Sequence, residues 1–254
     1  MHTEKTENLI EHYILRTSLK SKQPHYILIT IKEKSSYYTD DSLQHQIGTI
    51  DIQATYLTGP ISRDNLISGH ISSMGGSIDS YNKLVSITNG SVMVQKNFRG
   101  LGIGSFMFDV IIKWALKLDP SFKVSTIKVA EVDATEENQA RRNKFYANFG
   151  IEFGKPMNEG VVEGLSAPIL VQNLKSHNGW TARLEPLDHL SGLWAIGDEI
   201  QSLLLNAQRH KTQIKNLKEE LTNLRHLNSR KTIIKIGITA AFILISLTLI
   251  IRAL

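Results

Sequence analysis

The 254-residue chain contains no cysteine. That excludes disulfides, thiolate metal sites and a cysteine nucleophile, and it suits a reducing compartment. The N-terminus lacks the apolar run of a secretory signal, since Met1 to Glu11 is polar and charged. The nine histidines form no His-Glu-x-x-His pattern, so no metal site is expected. Net charge is missing from most of the chain. Residues 1–197 carry 20 Lys+Arg and 20 Asp+Glu, a balance of zero, whereas residues 198–254 carry 9 and 4, leaving the whole +5 there. The folded part therefore lacks the basic surface of a nucleic-acid binder, and no nucleic-acid partner is expected.

What is present centres on Ser91 to Trp114 (SVMVQKNFRGLGIGSFMFDVIIKW). Val92, Met93 and Val94 read as a buried strand. A turn with Gly100, Gly102 and Gly104 follows, and then Phe106, Met107, Val110, Ile111 and Trp114 fall at helical spacing. Strand, glycine turn and helix start form a phosphate-binding geometry. Backbone N–H groups point out of such a turn, the helix dipole adds partial positive charge, and glycine lets the backbone approach a ligand closely. The dinucleotide fingerprint fails in both registers, because Ser105 or Met107 stands where its last glycine belongs. The P-loop fails too, with no Gly-Lys-Ser/Thr closing the turn. A tight strand-to-helix connection without a ligand is the other reading of this stretch.

The pattern that fits is Arg-x-x-Gly-x-Gly at Arg99, Gly102 and Gly104, preceded by Phe98 and followed through Ser105. It resembles the acetyl-CoA motif of the GNAT family of N-acetyltransferases, although Lys96 stands where that family often has proline. A second stretch, Glu137 to Phe153 (ENQARRNKFYANFGIEF), is similar to the family's next helix, with Asn138, Ala140, Arg141, Phe145, Tyr146 and Gly150 in the family's order. Val124 to Val132 reads as a strand between the two. The resemblance spans residues 10–175 and is carried by 90–153.

The resemblance implies an α/β (α+β) fold, a mixed central sheet with flanking helices, over a domain of residues 1–175. It implies acetyl-CoA as cofactor, held by the backbone of Met93 and Val94, by Arg99, by the turn Gly100, Leu101, Gly102, Ile103, Gly104 and Ser105, and by Asn138. A helix N-cap is the other reading of Asn138. Tyr146 would serve the departing thiolate, or else be a core aromatic. Glu131, with Asp133 beside it, is the candidate base, or else a solvated charge at a strand end. The acceptor would be an amine on a small molecule or protein. The rival reading is a membrane-tethered interaction protein that keeps the fold without catalysis.

Elsewhere, Tyr13–Leu19, Tyr26–Ile31 and His45–Leu57 read as strands of an antiparallel half, Lys32–Gln46 as a loop, and Pro168–Leu174 as a last strand. Ile61–Asn89, interrupted by Gly75-Gly76, is expected to hold first helices or a loop, leading into a strand over Ser86–Val94. Residues 176–197 read as a linker, with Asn178-Gly179 and Glu185-Pro186 as breakers. From Ile200, steps of three and four through Leu203, Ala207, His210, Ile214, Leu217, Leu221, Leu224 and Asn228 mark a heptad seam. That predicts a self-associating coiled-coil stalk over 198–230, with a lone amphipathic helix as the alternative. Residues 233–251 hold one lysine, Lys235, and read as a transmembrane tail anchor in a lipid bilayer, with a buried core helix as the alternative. The cations on its N-terminal side place the catalytic domain in the cytoplasm.

Overall fold

The structure, a computed structural model, describes residues 3–17, 23–40, 43–61, 69–89, 92–128, 136–153 and 164–253. The chain divides into two units, Met1–Trp194 and Ala195–Leu254. The first is a mixed α/β unit. Its strands are β1 (Thr3–Thr17), β2 (Tyr26–Asp40), β3 (Leu43–Thr58), β4 (His70–Asp79), β5 (Leu84–Ser86), β6 (Lys123–Val124), β7 (Ile169–Leu170) and β8 (Leu184–Leu187). They form one sheet in the order β7-β6-β5-β4-β3-β2-β1-β8. The β5–β6 pair is parallel and the others are antiparallel. A parallel neighbour needs a crossover, and helix α1 (Ile103–Ala115) supplies it. Helix α2 (Glu136–Ala147) follows β6.

Period-two alternation builds the antiparallel half. Ile27, Ile29 and Ile31 of β2 are buried, as are Ile50, Ile52, Ala54 and Tyr56 of β3. The expected loop over Lys32–Gln46 is instead sheet. β2 runs on to Asp40 and β3 starts at Leu43, with Glu33 opposite Ile50 and Ser36 opposite Ile47. β1 likewise begins at Thr3, ten residues before the expected start. Backbone pairing continues here past the edge of the core, where side-chain hydropathy carries no signal.

The expectation of helices or a loop over Ile61–Asn89 is also overturned for the described residues, because β4 inserts between β3 and β5. The Gly75-Gly76 pair does not break this strand. A Cβ on Gly75 would stand 2.7 Å from the Ile50 carbonyl, and one on Gly76 would stand 2.7 Å from the Ser86 carbonyl and 3.1 Å from Trp114. Glycine is there because backbone and α1 press onto the sheet. Three expected strands are shorter than foreseen. Among the described residues, ladder pairing near the expected Ser86–Val94 is confined to Leu84–Ser86, that near Val124–Val132 to Lys123–Val124, and that within Pro168–Leu174 to Ile169–Leu170 before a short 3-10 turn at Val171–Asn173.

Helix α1 is buried on both sides. Trp114 and Ile111 face Gly76 in the sheet, while Phe108 meets the rings of Phe145, Tyr146 and Phe149 at 4.8–5.5 Å. The expected linker is part of this unit too. Trp180 and Leu184 join the core, and β8 pairs with β1 from Ile14↔Leu187 to Thr17↔Leu184. The chain turns back onto the domain after Asn178, at residues 179–183, and Glu185-Pro186 lies within β8, opposite Arg16 and Leu15.

The second unit is carried by helix α3 (His189–Ala253). The expected tail anchor, and with it the placement of the domain at the cytoplasmic membrane face, is corrected: among the described residues no helix is long and apolar enough to cross a membrane. Side chains of the expected span 233–251 are described as far as Ala241. Lys235 lies among these side chains, so this part of the helix is not uninterruptedly apolar.

Candidate functional site

The glycine turn is built by left-handed backbone. Gly100 has φ 82° and Gly102 has φ 93°, values that a side chain disfavours. Gly102 is the N-cap of α1, and no side chain caps this helix. Its first-turn N–H groups lack intrahelical acceptors by geometry. Gly104 sits in that first turn, where a Cβ would lie 3.2 Å from Val94.

Residues 92–95 are extended but stand outside the sheet ladder, and Met93 is 56% exposed, which corrects the expectation of a buried strand. They lie beside β4: the Ser72 hydroxyl donates to the Met93 carbonyl (2.8 Å), and the Gln95 N–H donates to the Ile71 carbonyl (3.1 Å). Arg99 Nε donates to the Val94 carbonyl at 3.0 Å, tying the turn to this segment.

On the other side the sheet splits. Lys123 and Ser125 donate their N–H groups toward β5, to the carbonyls of Lys83 and Val85. Ile127, next in that alternation, instead donates to Ser166 Oγ at 2.9 Å, and Lys128 bridges to Leu165. The chain after Ser125 has left the β5 side for the β7 side. A wedge opens between Thr88 and residues 92–94 on one side and residues 127–128 on the other.

That wedge is a cavity of about 610 Å³, within the usual range for a small-molecule site. Met93, Val94, Arg99, Gly100 and residues 102–105 line it, and so does Tyr146. Leu101 instead packs half-buried against the core. Asn138 belongs to α2, but its side chain lies outside the described residues, as do Glu131 and Asp133. Tyr146 is 6% exposed, with edge contacts to Phe108 and Phe153.

The lining carries five cations, Arg99, Lys128, Arg141, Arg142 and Arg183, and no carboxylate among the described residues. Two had no signal in the sequence as site residues. Lys128 lies on the segment that has splayed away, bridged to Leu165. Arg183 lies in the segment read as a linker, yet its guanidinium donates to the Gly100 carbonyl at 2.8 Å.

Arg183 is positioned by a buried carboxylate. Asp109 on α1 is 1% exposed and accepts from the Ser176 hydroxyl (2.8 Å), the His177 N–H (2.9 Å), the Trp180 indole (3.2 Å) and Lys113 (2.8 Å). Burial opposes its ionisation, but the hydrogen bonds from Lys113, Ser176, His177 and Trp180 outweigh burial and hold its pKa below the ordinary value. The Trp180 ring meets Phe106 edge-on at 4.9 Å, and Arg183 follows one turn later.

Among the described residues no cluster of His, Asp and Glu could hold a metal ion. Comparison of the chain with protein-family models, with curated proteins and with solved structures gives no match.

Proposed function

We propose that the chain is an acetyl-CoA-dependent N-acetyltransferase of the GNAT type, moving an acetyl group to a primary amine of a small molecule or protein. One observation carries the reading: a left-handed glycine turn at a helix N-terminus, five cations and a buried tyrosine share one cavity. Coenzyme A fits these features chemically. It is a polyanion with a diphosphate, and its pantetheine arm is an extended chain of amides suited to a wedge between two parted strands. Cations without a competing carboxylate favour such a ligand, and so does the start of α1.

Bound acetyl-CoA supplies an acyl group activated as a thioester. The turn at 100–105 holds the diphosphate with main-chain N–H groups, and Arg99 and Arg183 brace the turn through the Val94 and Gly100 carbonyls. The acceptor attacks as a neutral amine, so a base must first take its proton. By the resemblance that base is Glu131 or Asp133, and the departing sulfur receives a proton or hydrogen bond from the Tyr146 hydroxyl.

A second reading draws on a specific observation. The described cavity lining contains neither a carboxylate nor a histidine to act as base, as in an interaction protein that binds the cofactor without turnover. Titration calorimetry of the full chain with acetyl-CoA, followed by an amine panel, separates the two. Binding with turnover that falls about a hundredfold in Tyr146→Phe is the expected result. Binding with no turnover selects the second reading, and absence of binding removes both.

A further inference from the structure

The seam of α3 is a solvent-facing apolar stripe. Ile200, Leu203, Ile214, Leu217, Leu221 and Leu224 are 44–63% exposed. Over 29 residues, about 44 Å of helix, such a stripe calls for a facing helix. Lys231 and Lys235 occupy the next seam positions, so the stripe ends at Asn228.

We infer that residues 200–228 of α3 pair with the same helix of a second copy as a parallel, in-register, two-stranded coiled coil. Residue type at the seam sets the number of strands. One line of seam positions holds Ile200, Ala207, Ile214, Leu221 and Asn228, and the other holds Leu203, His210, Leu217 and Leu224. Isoleucine at two positions of the first line, with leucine at three of the four in the second, favours two strands over three or four. Asn228 falls in the first line, where paired asparagines fix register in parallel dimers.

Charge sets the direction. One flank of the stripe carries Lys211, Lys218 and Arg225, and the other carries Glu199, Asn206, Gln213 and Glu220. In a parallel pair the two different flanks meet. Glu220 then faces Arg225 of the second copy, Gln213 faces Lys218, and no like charges oppose. In an antiparallel pair each flank meets itself, which sets all three cations against their own kind. The ion pair within one helix, Lys215 with Glu219, lies away from the stripe and is compatible with either direction.

The sequence has no cysteine, so single thiols report the arrangement in the full chain. Sedimentation equilibrium is expected to give the mass of two chains. Under mild oxidation, Leu203→Cys and Leu224→Cys are each expected to cross-link to themselves, and their mixture to form no mixed disulfide. Glu220→Arg is expected to raise the dimer dissociation constant about fivefold, and Glu220→Arg combined with Arg225→Glu to restore it. A mass of one chain, or of three or more, overturns the inference. So does cross-linking only in the mixture, because antiparallel helices bring the two positions together and parallel ones hold them about 31 Å apart. A double swap that fails to rescue also overturns it. Helicity measured by circular dichroism accompanies each variant, so that dissociation is read only on an intact helix.

Discussion

Two glycines two residues apart have different tasks. Gly102 needs its φ of 93°, and an alanine there meets only ordinary contacts, 3.5 Å from Leu184 and Trp180. Gly102→Ala is therefore expected to cost about 1–2 kcal/mol from backbone strain alone. Gly104 has helical backbone, where alanine gains about 1 kcal/mol in propensity against a 3.2 Å contact with Val94. Gly104→Ala is expected to leave stability within about 1 kcal/mol while, on the proposed function, weakening acetyl-CoA binding at least tenfold, because the new methyl would stand at the turn proposed to hold the diphosphate. Urea denaturation and calorimetry on the same samples check both. Asp109 offers a third residue-scale test. Its folded pKa lies below the unfolded one, so its contribution is complete above the ordinary Asp range and is lost as pH falls through the folded value. Asp109→Asn is expected to cost about 2–3 kcal/mol at pH 7 and to flatten the acid limb of the stability profile below about pH 4.

At the scale of elements, the segment 176–188 behaves as a strap on α1. Trp180→Ala is expected to cost about 3–4 kcal/mol in chemical denaturation, the loss proper to a buried indole and its edge contact with Phe106. A true linker would lose almost nothing. That contrast explains what was legible in the sequence. Helices α1 and α2 could be read from apolar spacing and from the residues of two motifs, and the first half of β2 could be read from YILITI, because those residues face a core. The distal half of β2, the first two residues of β3 and the start of β1 pair beyond the core, so polar side chains there carry no strand signal. β4 was hidden because its glycine doublet resembles a break until the Ile50 and Ser86 carbonyls are seen 2.7 Å from the missing Cβ positions. Tyr146 and the turn were legible as neighbours through the resemblance. Arg183 was not, since nothing in a single sequence reveals that Asp109 will gather Ser176, His177 and Trp180.

Across the whole molecule, charge is balanced in sum over residues 1–197 yet segregated in space, with five cations around one cavity. On the proposed function, acetyl-CoA affinity is therefore expected to fall about threefold or more between 0.05 and 0.5 M salt, measured by calorimetry, because the screening length around exposed arginines shrinks from about 14 Å to about 4 Å. Arg183→Ala is expected to reduce that salt dependence.

The sheet has one further property of this scale. β8 covers only residues 14–17 of β1, and among the described residues no strand lies beside Lys5 to Tyr13 on that side. Leu9 and Ile10 stand there about half exposed, on a rail of backbone groups that any stray strand could zip onto. Lys5, Glu7 and Glu11 flank them, so an incoming strand must strip water from alternating charges before it can dock. Those three side chains act as bumpers: neutralise them together, and the bare rim becomes open to an unwanted strand.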